Sequence, residues 1–195
     1  MLQPVNKLPP EIIPRIAQHI LQGNTDTYSI IPLTHVCRYW RQSIISAPEN
    51  WTLISSRRMG LMALTLERSG AAPLQLRLYN SAPIIQNFRD LITPHIQNTE
   101  ILKFLELTTL EDFTQVLPNF PQSMPNLRLL DLDHKCSVPG WDPSNDPFGL
   151  FPNTLRSLTL YDIPLYPSFL KIGTLTELSL QYYKVQPSLD TLLDV

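Results

Sequence analysis

Four times between Leu102 and Leu180 the chain spells L-x-x-L-x-L: Leu102-Lys-Phe-Leu105-Glu-Leu107, Leu127-Arg-Leu-Leu130-Asp-Leu132, Leu155-Arg-Ser-Leu158-Thr-Leu160 and Leu175-Thr-Glu-Leu178-Ser-Leu180. The starts lie 25, 28 and 20 residues apart, a period of one small structural unit per recurrence. Within each block apolar and polar residues alternate, as they do in a strand with one buried face. A single unit of this size cannot bury that face alone, so such units stack and share one core. The same theme begins earlier, in Pro73–Tyr79, where Leu74, Leu76 and Leu78 alternate with polar residues. Between strands the spacing turns helical, first at Ile85, Phe88 and Ile92, then at Leu110, Phe113 and Leu117 behind the capping-box pattern Thr108-x-x-Glu111. The expected fold class is therefore α+β of a repeating kind, with leucines in a shared core and the polar strand residues facing outward.

The first third follows another rule. Leu8-Pro9-Pro10-Glu11-Ile12-Ile13, with Ile16, Ala17 and Ile20, places apolar side chains at the spacing of one helical face. Glu11 suits the positive end of that helix. Pro14 falls where the helix is already under way, so either the helix begins at Pro14 after an irregular lead-in, or it is kinked there. A second stripe runs through Leu33, Val36, Cys37, Trp40 and Ile44, with Arg38, Arg41 and Gln42 opposite. Pro32 fits its first turn, Ala47-Pro48 ends it, and Trp51 opens an extended segment to Ile54. A further helix is expected over Arg57–Ser69, from Met59, Met62, Ala63 and Leu66, with Gly70 as its left-handed cap.

Composition narrows the function classes. The 43% hydrophobic and 16% charged residues describe a chain that folds. Nineteen prolines against six glycines make proline the main punctuation. The formal net charge of −2, with acidic and basic residues read as interspersed throughout, argues against nucleic acid as a partner. Cys37 and Cys136 have neither disulfide-framework nor metal spacing, which suits a reducing compartment. No apolar leader follows Met1, and no run approaches the ~18 apolar residues of a membrane span. A soluble cytoplasmic or nuclear protein is expected. Asn50-Trp51-Thr52 matches a glycosylation acceptor, which carries no meaning inside the cell.

Leu8-Pro9-Pro10-Glu11-Ile12, then Leu33-Thr-His-Val-Cys-Arg-Tyr-Trp-Arg41, then Ala47-Pro48-Glu-Asn-Trp51 together resemble an F-box, closest to the fungal type. The four leucine blocks resemble leucine-rich repeats, although the family's asparagine after the third leucine is replaced by Asp133, Tyr161 and Gln181. The resemblance implies a three-helix F-box over 1–54, a connecting helix over 55–72, and an irregular leucine-rich-repeat-like α/β solenoid over 73–195. Pro187–Val195 reads as the start of another helix with no capping unit after it, so the region is expected to be truncated.

The same resemblance implies a role. F-box domains dock onto the Skp adaptor of a cullin–RING ubiquitin ligase, which makes the expected function that of a substrate receptor in a Skp–cullin–F-box (SCF) complex. Leu8, Pro9, Ile12, Val36, Cys37 and Trp40 match the family's adaptor-contacting positions; the alternative for each is that it only holds the helices together. An unknown target protein would be held by outward strand residues, with Arg128, Asp131, Arg156, Thr159, Glu177 and Ser179 as candidates and Tyr161, Tyr182 and Tyr183 as aromatic anchors. The alternative there is an ordinary solvated sheet face. No cofactor, no metal, no membrane and no homo-oligomer is expected. The segment Asp131-Leu-Asp133-His134-Lys-Cys136 lacks a zinc ligand set, the loop Gly140–Pro147 lacks the glycine and glutamate of a calcium loop, and no nucleophile, acid–base pair or phosphate loop is present. The chain is read as a non-enzyme, with a protein-interaction scaffold as the competing function.

Overall fold

The computed structural model describes residues 8–24, 26–79, 85–107, 124–134, 151–163 and 165–181. The fold is α+β, with helices and a six-stranded sheet in the order β1-β2-β3-β4-β5-β6, the order of the chain. The strands are β1 (Leu53–Ser55), β2 (Leu74–Tyr79), β3 (Thr99–Leu107), β4 (Leu129–His134), β5 (Ser157–Tyr161) and β6 (Glu177–Gln181). The chain divides into two compact units, Met1–Gln75 and Leu76–Val195.

In the first unit, helix α1 (Ile12–Gln22) buries Ile13, Ala17 and Leu21 at a four-residue spacing. It starts two residues before Pro14, and a turn from the Ile12 amide to the Pro9 carbonyl (3.0 Å) leads into it. Pro14 is thus the third helical residue, and the first four N–H groups of a helix have no intrahelical acceptor. Its missing donor costs no bond there, so neither alternative raised by the sequence is needed.

The stripe from Leu33 to Ile44 is not one helix. Thr27–His35 is a 3-10 helix, Cys37 is extended (φ −162°, ψ 173°), and helix α2 runs only over Arg38–Ile45. The tighter 3-10 turn and the extended Cys37 change the phase of the stripe. Trp40 and Ile44 reach the core, whereas Val36 is 50% exposed. The break is hydrogen-bonded: Arg41 donates through Nε to the Thr34 carbonyl (2.9 Å) and through its amide to the Cys37 carbonyl (3.0 Å).

Trp51 belongs to a second 3-10 helix, Pro48–Trp51, and the extended segment begins only at Leu53. Its ring is fully buried, its Nε1 donates to the Ile44 carbonyl at 3.0 Å, and the Arg68 guanidinium lies 4.3 Å from its ring centre. Ile13, Ala17, Leu21, Ile30, Trp40, Ile44, Trp51 and Leu53 form one cluster. Thr27 ties this cluster to β1 through a hydroxyl bond to the Leu53 carbonyl. Asn50 is wholly buried, which hides the glycosylation-like triplet in the folded chain.

Helix α3 (Met59–Ser69) buries Met62, Thr65, Leu66 and Ser69. The two hydroxyls are satisfied by bonds to the Leu61 and Leu66 carbonyls (2.9 and 2.8 Å). Gly70 has φ 56° and ψ −123°, so its positive φ is as expected, but its ψ lies outside the left-handed helical region of the cap forecast for it.

In the second unit, β3 to β6 pair in parallel with a register that defines the repeat. Leu102, Leu130, Leu158 and Leu178 form one row, and Phe104, Leu132, Leu160 and Leu180 the next but one. Leu127, Leu155 and Leu175 stand three residues before the first row. The residue in that position ahead of Leu102 is Thr99, fully buried, and not a leucine. The first L-x-x-L-x-L match is therefore three residues out of frame, and the true starts, at 99, 127, 155 and 175, are 28, 28 and 20 residues apart. Leu105 and Leu107, which completed the apparent match, straddle Glu106, whose φ of 67° accompanies a shift of register between Phe104 and Leu107.

The corrected frame is repeated in the hydrogen bonds. The amide at each start donates to the carbonyl three residues before it: Thr99 to Ile96, Leu127 to Met124 (3.1 Å), Leu155 to Pro152 (3.1 Å) and Leu175 to Ile172 (3.3 Å). Side chains one residue before the start then link consecutive units. Asn126 donates to the Gln97 carbonyl (2.9 Å), Thr154 to the carbonyls of Pro125 (2.8 Å) and Leu127 (2.9 Å), and Thr174 to that of Leu155 (2.7 Å). Between β2 and β3 in the chain, helix α4 (Ile85–Ile92) buries Phe88 and Ile92. A short helix α5 (Pro167–Leu170), absent from the sequence reading, buries Phe169 against Tyr166 and Phe151. The expected helix around Leu110, Phe113 and Leu117, its capping box, the loop Gly140–Pro147 and the helix from Pro187 lie outside the described residues.

Candidate partner-binding surfaces

The six positions assigned to an adaptor separate by burial. Leu8, Ile12 and Cys37 are partly buried, Pro9 and Val36 are exposed, and Trp40, at 8% exposure, belongs to the core cluster. One bond brings their two segments together: the Tyr39 hydroxyl, in the first turn of α2, donates to the Leu8 carbonyl at 2.8 Å. Leu8 and Pro9, just ahead of α1, thereby sit beside the Cys37–Tyr39 segment. Val36 projects there because Cys37 is extended, and its neighbours His35, Arg38 and Arg41 are exposed and basic or titratable. Tyr28 (52% exposed) is a second uncovered apolar residue of the 3-10 helix, with the Arg58 guanidinium 4.7 Å from its ring centre. Sequence periodicity did not single it out, because a 3-10 helix breaks the periodicity on which that reading relied.

The positions assigned to a target sit on or beside the outward sheet face. Asp131, Thr159 and Ser179 are one row, and the residue that completes it is Lys103, which the misframed first repeat concealed. Lys103 Nζ pairs with Asp131 at 2.9 Å. Glu177 lies in the row of Ile101, Leu129 and Ser157, where it accepts a bond from the Ser157 hydroxyl at 2.8 Å. Tyr161 shares its row with Asp133 and Gln181. Arg128 and Arg156 lie just ahead of the strands. Arg128 pairs with Glu100 (3.2 Å), and Arg156 Nη1 donates to the carbonyls of Asn153, Leu155 and Thr174. Arg156 thus holds two repeats together, and its exposed surface is secondary to that role. Tyr182 and Tyr183 lie outside the described residues.

Among the described residues no group of three or more His, Cys, Asp or Glu side chains could hold a metal ion. A cavity of ≈ 10 Å³ under Asp26, Thr27, Ile54 and Met62 has room for about one water and no more. No described helix is long and apolar enough to cross a membrane. Charge, read along the sequence as evenly mixed, is not evenly shared. Residues 1–75 carry seven Lys and Arg against four Asp and Glu, and residues 76–195 carry eight against thirteen. Comparison with family models, with curated proteins and with solved structures finds no significant match.

Proposed function

We propose that the chain is an F-box substrate-receptor subunit of a Skp–cullin–F-box ubiquitin ligase, acting in the cytoplasm or nucleus. On this reading α1, the 3-10 helix Thr27–His35 and α2 make the F-box, and the stacked strands of the second unit form an irregular leucine-rich-repeat-like solenoid that holds a target protein. The chain itself is not an enzyme. It raises the concentration of a target near a ubiquitin-charged subunit, so its contribution is proximity.

The observation that supports this reading is an apolar rim of exposed Pro9 and Val36 and partly buried Leu8, Ile12 and Cys37, joined by the Tyr39–Leu8 bond. Full burial of one aliphatic side chain is worth about 1.5–3 kcal/mol, and half-exposed Val36 gains about half of that. Leu8, Ile12 and Val36 together supply a few kcal/mol, short of the ~8 kcal/mol of a micromolar complex. Pro9 and the polar flank of His35 and Arg38 must contribute the remainder. Trp40 has little surface left to cover, and its part is to anchor the turn that presents Val36.

Co-purification with a Skp-type adaptor tests the proposal. The wild-type chain retains the adaptor and, with cullin and RING subunits added, supports ubiquitin transfer to a captured protein. Adaptor binding without any transfer would leave the scaffold reading, and no adaptor binding would end both.

A further inference from the structure

The leucines of the described repeats are sealed except in the last of them. Leu127, Leu130 and Leu132 in one repeat, and Leu155, Leu158 and Leu160 in the next, are all fully buried. In the repeat of β6, Leu178 is 42% exposed, and Leu175 and Leu180 are only partly buried. β6 ends the strand order, so no described strand lies beyond it. The Glu177 amide donates to the Arg156 carbonyl, and the Gln181 carbonyl accepts from the Asp162 amide, both at 3.0 Å. Residues alternate in a parallel ladder, so Leu178 and Leu180 turn their N–H and C=O groups to the far edge. Such an edge is a template for one more strand.

We propose that the occupant of this edge is β6 of a second copy, paired antiparallel about a two-fold axis through Ser179. In that register Leu178 lies opposite Leu180 of the other copy, Ser179 opposite Ser179, and Glu177 opposite Gln181. Leucine thus meets leucine on the core face, and no like charges face each other. The Leu178–Leu180 pairs are those whose N–H and C=O groups point outward, so each exchanges both bonds of an antiparallel pair. The same operation about Lys103 in β3 or Asp131 in β4 would set a charge against its own copy. β5, neutral at its centre Thr159, is covered on its two edges by β4 and β6. The contact is isologous, so it closes as a dimer and does not propagate. It is smaller than a standard protein interface, which makes the dimer weak and dissociable on dilution. The sequence alone does not show that β6 lies at an edge and gives no reason to expect the assembly. The inference stands apart from the ligase reading and uses no residue of the adaptor rim.

Sedimentation equilibrium of the full chain from about 1 to about 500 µM tests this. The expected result is a reversible monomer–dimer equilibrium whose dissociation constant rises about tenfold or more for Leu178→Lys, which sets an ammonium among the paired leucines. Circular dichroism confirms that the variant folds, as a 42% exposed position allows. Ser179→Cys tests the register: its thiols would face each other across the axis with Cα atoms about 4.5 Å apart, within disulfide reach. Oxidised glutathione should lock this variant into a covalent dimer and leave the wild type and Gln181→Cys unlinked, the latter because its two copies lie about 14 Å apart. A monomer over the whole range, as when residues beyond Gln181 or a strand of another protein cover the edge instead, would overturn the inference. So would a dimer that Leu178→Lys leaves intact or that Ser179→Cys fails to lock. Adaptor capture by the same preparations reports separately on the ligase reading.

Discussion

The two units are held together by opposite means. The second reuses one device: the same turn bond four times, the same two leucine-rich rows, and a carbonyl-seeking Asn or Thr side chain before β4, β5 and β6. The first uses each contact once, with Trp51 on the Ile44 carbonyl, Tyr39 on Leu8, Thr27 on Leu53 and Arg41 on Thr34. A contact of a kind that recurs from strand to strand leaves others of its kind when one is lost, whereas a unique contact leaves none.

The sharpest way to break that comparison is Trp51→Ala. Removing a fully buried indole together with its hydrogen bond should destabilise the first unit by about 3–5 kcal/mol, read as a lower denaturant midpoint. A loss below about 1 kcal/mol would show the first unit to be as forgiving as the second. Leu130→Ala and Leu178→Ala grade the repeats next. Leu130 is fully buried and should cost about 2–5 kcal/mol, while Leu178 in the same row, at 42% exposure, should cost clearly less. Equal costs would mean that the row is closed along its whole length. Thr154→Val removes the one hydroxyl proton shared between the Pro125 and Leu127 carbonyls and should cost about 0.5–1.5 kcal/mol, where a surface threonine would cost almost nothing. A double-mutant cycle on Lys103 and Asp131 should return about 0.2–1 kcal/mol, since both side chains keep part of their solvent exposure. Smallest of all is Val36→Glu, whose effect on stability should stay within about 0.5 kcal/mol because the side chain is half in water.

How far the sequence was legible follows the same division. Alternating leucines gave away the strands, and three of the four repeats were in frame. The first was misread because Thr99 and Phe104 stand where leucines stand elsewhere, while Leu105 and Leu107 imitate the pattern across a bulge. Only its neighbours' register exposes the error. In the first unit Trp40, assigned to the adaptor surface with the core as its alternative, is a member of the core cluster, whereas the core residues Ile13, Ala17 and Ile44 were legible from spacing. The break at Val36–Cys37 was not, because no glycine or proline marks it, and the extended backbone of Cys37 is fixed by tertiary bonds such as Arg41 to Thr34. That break is what uncovers Val36, so the candidate adaptor surface was named from resemblance, while its exposure came from the backbone.

Titration of a purified Skp-type adaptor into the wild-type chain and into Val36→Glu, at matched thermal stability, tests the central claim most directly. The account predicts saturable binding by the wild type and a loss of about tenfold or more in the variant, because a carboxylate would be buried unpaired against the partner. Equal affinities for the two chains, or no binding by either, would contradict it.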